Sequence, residues 1–252
     1  MRPSPYDILK ILSVKQYLRY DACVRETEPR SYGHFCMLAK ALEHVGDRWS
    51  LLVVRDLLLG PRRFTDLMDC MAGITPKTLT RRLRGLEADG LVEADREAGR
   101  REVWYRLTAV GEDLRPVLEE LLLWGLRNLA ERPGPEEPIH PEHVLRALQL
   151  QLQREGVNAG TVRWAVHVPG TGNYTLTGDG VRWELGFDDE TAADLCISAT
   201  RSGLARFLTA LPPRDRHTDD IDITGTASAI RTFFKAIEVF PPTAGSAPPS
   251  PR

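Results

Sequence analysis

Apolar positions change their period along this chain, and the changes divide it into two parts. Between Met37 and Gly60 they recur every three or four residues. Leu38, Ala41, Leu42 and Val45 come first, and Leu51, Leu52, Val54, Leu57 and Leu58 follow after a break at Gly46. That spacing sets one side of a helix against a core. It predicts a helix over 37–44, then a second helix capped by Asp47 and stopped at Gly60-Pro61. A short third helix is predicted over 64–71, with Thr65 as its cap and Gly73 ending it. Thr75-Pro76 opens a fourth, pairing a capping hydroxyl with a proline at the first helical position. After Gly90 the pattern alternates, so 91–94 and 103–107 read as the two strands of a hairpin. Thr108 then caps a longer helix over 111–128, with Leu114, Val117, Leu118, Leu121, Leu122 and Trp124 on a broad apolar surface.

The second half has a different rhythm. Residues 142–154 start at helical spacing (Val144, Leu145, Leu148, Leu152), although 148–152 also alternates as a strand would. Pro141 and Gly156 at the two ends favour helix. Strict alternation follows in Val162, Trp164, Val166 and Val168, then Tyr174 and Leu176, then Val181, Trp183, Leu185 and Phe187, then Leu195, Ile197 and Ala199. Two helices, 204–211 and 227–237, flank a short strand at Ile221 and Ile223. The expectation is an α+β domain, an antiparallel sheet with helices on one face. Between the halves, residues 131–141 are rich in proline and charge and read as a linker. The whole is predicted to be multidomain: an N-terminal extension over 1–30, a mainly α domain over 31–130, the linker, the α+β domain over 142–240, and a disordered low-complexity tail over 241–252. For the extension, a loosely ordered leader and an amphipathic helix through Ile8, Leu9, Ile11, Leu12 and Leu18 both stay open.

Composition narrows the chemistry. The 252 residues carry a formal net charge of −2, so contact with a polyanion must come from local charge placement. No apolar run approaches the roughly 20 residues needed to cross a bilayer. The amino terminus lacks a signal-peptide pattern, so a cytoplasmic protein with no membrane partner is expected. Cys23, Cys36, Cys70 and Cys196 form no CxxC pair, which argues against a structural zinc site or a disulfide framework. The six histidines are scattered without metal spacing. No Ser/His/Asp order or phosphate-binding glycine loop appears, so neither an enzyme, a metal nor a cofactor is expected. Asp215, Asp219, Asp220 and Asp222 read as a solvated loop rather than a cation site.

The fourth helix carries the strongest signal. Leu79, Leu83 and Leu86 share a narrow stripe, and at about 100° per residue Lys77, Arg81 and Arg84 fall opposite it, with Thr78 beside them. A helix with a core stripe on one side and cations on the other suits the major groove. There arginine bonds guanine edges bidentately, while threonine and lysine reach bases or phosphates. A solvated surface face is the plainer alternative. The preceding turn and the following hairpin favour DNA. Arg100 and Arg101 at the hairpin tip would be phosphate or minor-groove contacts. The last helix has more apolar surface than a small domain needs to cover itself. A second subunit would cover it, and a C2 dimer would present two such helices to a pseudo-palindromic double-stranded site. The alternative is packing on the second domain.

These residues resemble a known family. Cys36, Gly46-Asp47-Arg48-Trp49, Gly60-Pro61-Arg62-Arg63-Phe64, the run 73–79 from Gly73 to Leu79, and the run 82–91 from Arg82 to Leu91 are similar to the HxlR-type winged helix-turn-helix transcriptional regulators. The resemblance covers most of 31–125. It implies a bacterial dimeric repressor or activator whose recognition helix, residues 75–89, starts at Thr75. The expected DNA-binding residues are then Arg63, Thr75, Lys77, Thr78, Arg81, Arg82, Arg84, Arg100 and Arg101. It also implies a redox-sensing thiol at Cys36, with a bland buried thiol as the alternative. The second domain resembles the sterol-carrier-protein domain in its order of elements and in the run 221–225 followed by Ile230 to Ile237. That implies a cavity for an apolar small-molecule effector, with Trp164, Trp183, Phe207 and Phe233 as candidate lining. The same aromatics packing as ordinary core is the alternative. Two functions from different classes follow: a ligand-responsive regulator, or a carrier of hydrophobic ligands whose winged helix serves as a dimerisation scaffold.

Overall fold

The computed structural model describes residues 31–96, 102–129, 133–134, 137–187, 192–209 and 220–238. The chain divides into two units, with the division between Leu118 and Glu119.

In the first unit, α1 (Met37–Val45), α2 (Ser50–Leu57), α3 (Phe64–Cys70) and α4 (Pro76–Ala88) surround one apolar cluster. Val53, Val54, Leu67 and Leu79 are fully buried in it, with Leu57, Leu83 and Leu86 almost so. A three-stranded antiparallel sheet borders the cluster in the order β1 (Arg62–Arg63), β3 (Trp104–Leu107), β2 (Val92–Asp95). The two-residue β1 has no alternating pattern to betray it. Only its pairing of Arg62 with Tyr105 and Arg63 with Trp104 makes it a strand.

Two caps differ from expectation. The Asp47 carboxylate accepts the Trp49 N–H at 3.0 Å, but Trp49 holds the cap position of α2. Arg63, not Thr65, holds the cap position of α3, and the Asp66 carboxylate accepts the Arg63 backbone N–H at 2.9 Å. An aspartate at the third helical position can reach back to satisfy that donor, which Thr65 inside the first turn cannot do.

The single long helix expected after Thr108 is two. Thr108 caps α5 (Ala109–Glu112), its hydroxyl accepting the Gly111 N–H at 3.1 Å. The chain then restarts as α6 (Arg115–Leu129). Pro116 has no N–H to donate back to Glu112, so the ladder is interrupted there.

Helix α1 has its apolar stripe turned outward. Only Val45 is buried, whereas Leu38 is 68% exposed and Phe35, just before the helix, is 98% exposed. Helix α6 is divided lengthwise. Glu119 and Glu120 on one side accept from Arg146 and Arg154 at 2.5 and 2.6 Å, whereas Val117, Leu121 and Trp124 on the other side are about half exposed. Those ion pairs bind the helix beyond Glu119 to the second unit, so the division falls within α6 rather than in the proline-rich stretch over 131–141.

The second unit contains α7 (Pro141–Arg154), β4 (Thr161–Val168), β5 (Gly172–Asp179), β6 (Trp183–Gly186), β7 (Leu195–Ala199), α8 (Arg201–Thr209), β8 (Ile221–Gly225) and α9 (Ala227–Ile237). Proline opens α7, and alternation inside it proves helical. Gln149 and Gln151 are as buried as their leucine neighbours, and Gln149 donates to the Trp183 carbonyl at 2.6 Å. The sheet has the order β6-β5-β4-β7-β8 and is mixed, a correction to the antiparallel expectation. Three neighbouring pairs are antiparallel, but β7 lies parallel to β4, with Trp164 opposite Leu195. The chain leaves β6 at one edge and crosses to the far side of β4, and that crossover sets the direction of β7. Alternate residues of β4, β5 and β7 join Leu145, Leu148, Leu152, Leu204, Phe233 and Ile237 in one buried cluster, so the helices lie on one face as expected.

No helix of the described residues is long and apolar enough to cross a membrane. The extension over 1–30, the hairpin tip with Arg100 and Arg101, and the tail over 241–252 lie outside the described residues.

Candidate nucleic-acid interface

Helix α4 is built to hold one side still and present the other. At its start the Thr75 hydroxyl accepts the Thr78 N–H at 3.2 Å and lies 2.9 Å from the Thr78 hydroxyl. Pro76 then supplies a pre-set φ at a position whose N–H would have no partner. At its end Gly90 takes a φ of 71°, and the Leu91 N–H closes on the Leu86 carbonyl at 2.9 Å. Leu79, Leu83 and Leu86 are buried, which fixes the rotation of the helix about its axis.

On the opposite side Lys77, Arg81 and Arg84 are all exposed, and none makes an ion pair with a described residue. At about 100° per residue the three span an arc of about 60° centred away from the core. Thr78 is half-buried about 60° beyond Arg81, on the flank toward Arg82. Arginine and lysine with no carboxylate partner keep their full donor capacity for a phosphate or a base edge.

The structure separates two other arginines from this group. Arg82 lies beside the leucine stripe and bonds Asp47 at 2.9 Å. Arg63 is held on three sides: its guanidinium donates to Asp66 at 2.9 Å and to Glu102 at 2.9 Å, and it stacks over the Trp104 ring at 5.6 Å. Hydrogen bonds from Arg63 hold the Asp66 carboxyl below the ordinary carboxylate range and push the guanidinium further up. Both arginines are engaged in internal pairs, which a polyanion would have to displace. Sequence spacing shows only that they are basic. Their partners Asp47 and Glu102 lie 35 and 39 positions away and come close only through the fold.

The hairpin is tied to α4 as well. Arg96 at the end of β2 donates to Glu87 at 2.9 Å, and Arg106 on β3 donates to Glu93 at 2.8 Å. Among described residues the hairpin's cations are therefore both paired, Arg96 with a carboxylate of α4 and Arg106 with one of β2. One cation missed from sequence is Arg48, exposed at the start of α2 and stacked over Trp49 at 5.1 Å.

Cys36 is exposed and occupies the cap position of α1. In the single chain this thiol is not buried, because α1 turns its stripe away from the core.

In the second unit three of the four candidate lining residues meet. The Trp164 ring lies 4.8 Å from Trp183 and 5.0 Å edge-on to Phe233, and all three are buried. Phe207 falls in α8, where its side chain is outside the described residues. The Trp183 indole N–H donates to the Val157 carbonyl at 2.8 Å. The Trp164 indole N–H is fully buried and meets no acceptor among the described residues. Such a donor forfeits its water without replacement, at a cost of about 1–3 kcal/mol.

Residues 44–133, which hold α4 with its cationic arc and the paired arginines around it, match the HxlR-like helix-turn-helix family. An uncharacterized HTH-type transcriptional regulator of Synechocystis is 42% identical over 88 residues, covering 34% of this chain and 64% of that protein. Another, from Mycobacterium tuberculosis, is 40% identical over 109 residues, covering 42% of this chain and 66% of that protein. The chain thus spans just under two thirds of the length of these two. YkvN of Bacillus subtilis, also an uncharacterized HTH-type transcriptional regulator, is 38% identical over 114 residues, covering 43% of this chain and 95% of that protein. Among solved structures, a MarR-family transcriptional regulator from Enterococcus faecalis shares 37% identity, covering 35% of this chain and 82% of that one, with a TM-score of 0.32. Through residues 44–133, the chain belongs to the HxlR-like helix-turn-helix family of HTH-type transcriptional regulators.

Proposed function

We propose that this protein is a transcriptional regulator that binds a pseudo-palindromic double-stranded DNA site as a homodimer, with α4 in the major groove. The observation that carries the reading is the outward arc of Lys77, Arg81 and Arg84, which has no carboxylate within the described fold to neutralise it. A dimerisation scaffold has no need of such a face, which sets the carrier alternative second. The dimer is supported by the outward apolar side of α1, where Leu38 stands in solvent in the single chain with exposed Phe35 just before the helix. Isologous contact through this side would bury it and give two copies of α4 related by a two-fold axis. Gel-shift titration against the DNA upstream of the protein's own gene tests the core of this reading. Lys77→Ala with Arg81→Ala is expected to lower affinity about a hundredfold, from two lost contacts. Unchanged affinity would remove α4 as the reading helix.

We further propose that the second unit, with its sterol-carrier-like order of elements, takes an apolar effector carrying a hydrogen-bond acceptor. Support comes from the Trp164 N–H, a buried donor set among apolar side chains. Regulation follows if the effector binds the DNA-competent and DNA-incompetent arrangements with different affinity. Native mass spectrometry of the purified protein is expected to show a dimer retaining a small apolar ligand, and Trp164→Phe to retain less of it. A dimer that never carries ligand would leave the second unit without this role.

A further inference from the structure

Gly85 is the residue of α4 that the fold does not explain. It lies inside the helix, one turn before its end at Ala88, and it is exposed. Glycine inside a helix is unfavourable relative to alanine, because it loses more backbone freedom on folding. Three structural reasons for keeping it are absent. A Cβ at Gly85 would meet no described residue within 4 Å, so none of them demands the space. The positive φ at the end of this helix belongs to Gly90, and Gly85 is not among the glycines that need one. Its carbonyl accepts the Asp89 N–H at 2.9 Å, an ordinary helical bond.

Its position on the helix is informative. At about 100° per residue Gly85 lies about 40° from Arg81, on the side away from Arg84 and the hairpin. That flank runs toward Arg82 and Asp89, which bond Asp47 at 2.9 Å and His44 at 3.0 Å. Arg48 follows Asp47 directly and is exposed. Gly85 is therefore a low point on the surface between Arg81 and the Arg82–Asp47 pair, and Arg48 is the exposed cation next to that pair in sequence.

We infer that Gly85 is where one sugar–phosphate strand of the DNA passes closest to α4. It rests on the reading of α4 as the helix in the major groove. The missing side chain lets the strand approach the helix backbone, while Arg48 and Arg81 bond phosphates on either side. The contact sets the depth and register of α4 in the groove, and so decides which base edges Lys77, Thr78 and Arg84 reach. Gly85 is a positioning residue: it makes room and donates nothing.

The test pairs a stability readout with a binding readout on the full-length protein. Gly85→Ala is expected to raise Tm by about 1–4 °C, as alanine does at an unstrained helical glycine. It should also weaken binding to the upstream DNA about tenfold, since a lifted helix loses the equivalent of one arginine contact. Arg48→Ala should lower the slope of log affinity against log salt by about one, as loss of a phosphate contact does. Gly85→Ala that binds as well as wild type overturns the proposal, and so does a fall in Tm, which would give Gly85 a structural reason. If wild-type protein binds no DNA, the reading of α4 itself fails. If Lys77→Ala with Arg81→Ala loses binding while Gly85→Ala keeps it, this proposal alone fails.

Discussion

The two units place their distinctive side chains on opposite sides of their cores. In the first, the leucine stripe of α4 is buried and its cations stand outside, so the candidate chemistry is the complement of the packing. In the second, the aromatics Trp164, Trp183 and Phe233 are themselves the packing, and any candidate chemistry lies within it. A surface site of the first kind can lose its function without losing the fold. An interior site of the second kind cannot be altered without touching stability. The contrast also runs within the first unit, between arginines left open (Arg81, Arg84) and arginines drawn into ion pairs (Arg63, Arg82).

Phe233→Ala should produce the largest change. It removes a fully buried ring in contact with Trp164 and should destabilise the second unit by about 3–5 kcal/mol. Urea unfolding followed by tryptophan fluorescence measures it. A loss well under 1 kcal/mol would mean that the aromatic cluster is not the packing centre described above.

Next comes the pair Arg82→Ala and Arg84→Ala. Arg84→Ala should leave Tm unchanged while weakening DNA binding, because it touches only the open arc. Arg82→Ala should lower stability by about 1 kcal/mol, since its partly buried bond to Asp47 ties α4 to the start of α2. Equal effects of the two on stability would erase the distinction between open and paired arginines.

The smallest effect concerns acid. The Asp66 carboxyl is held below its ordinary value of 3.8, chiefly by its hydrogen bond from the Arg63 guanidinium. A carboxyl with a lowered folded-state pKa adds stability that is fully present above the unfolded value and is lost as pH falls through the folded one. Asp66→Asn should therefore flatten the fall in stability below about pH 4, with little change in slope near neutrality. Stability curves for the two proteins that stay parallel below pH 4 would show that the Arg63–Asp66 pair carries no such coupling.

Much of this was legible along the chain, for reasons that differ by element. The face of α4 could be read because three leucines at fixed spacing determine the rotation of a helix, and the residues opposite them follow by geometry. The strands of the second unit could be read because alternation assigns each residue to one face of a sheet. Local punctuation did the rest at Thr75-Pro76 and Gly90. The interruption of the helix after Thr108 is equally local, since it follows from the missing N–H of Pro116.

What the sequence determined by itself is thus whatever depends on residues within a turn or a strand of one another: helix α4, its core stripe, its cationic arc and the one-sided apolar strands. The tertiary structure alone decided three things. It paired Arg82 with Asp47 and Arg63 with Glu102, because salt bridges form between residues that packing brings together from distant parts of the chain. It set β7 parallel to β4, because strand direction is fixed by the path of the connection and not by the strand's own pattern. And it turned the stripe of α1 outward with Leu38 and Phe35 in solvent, because an amphipathic helix specifies that one side be covered but not by what.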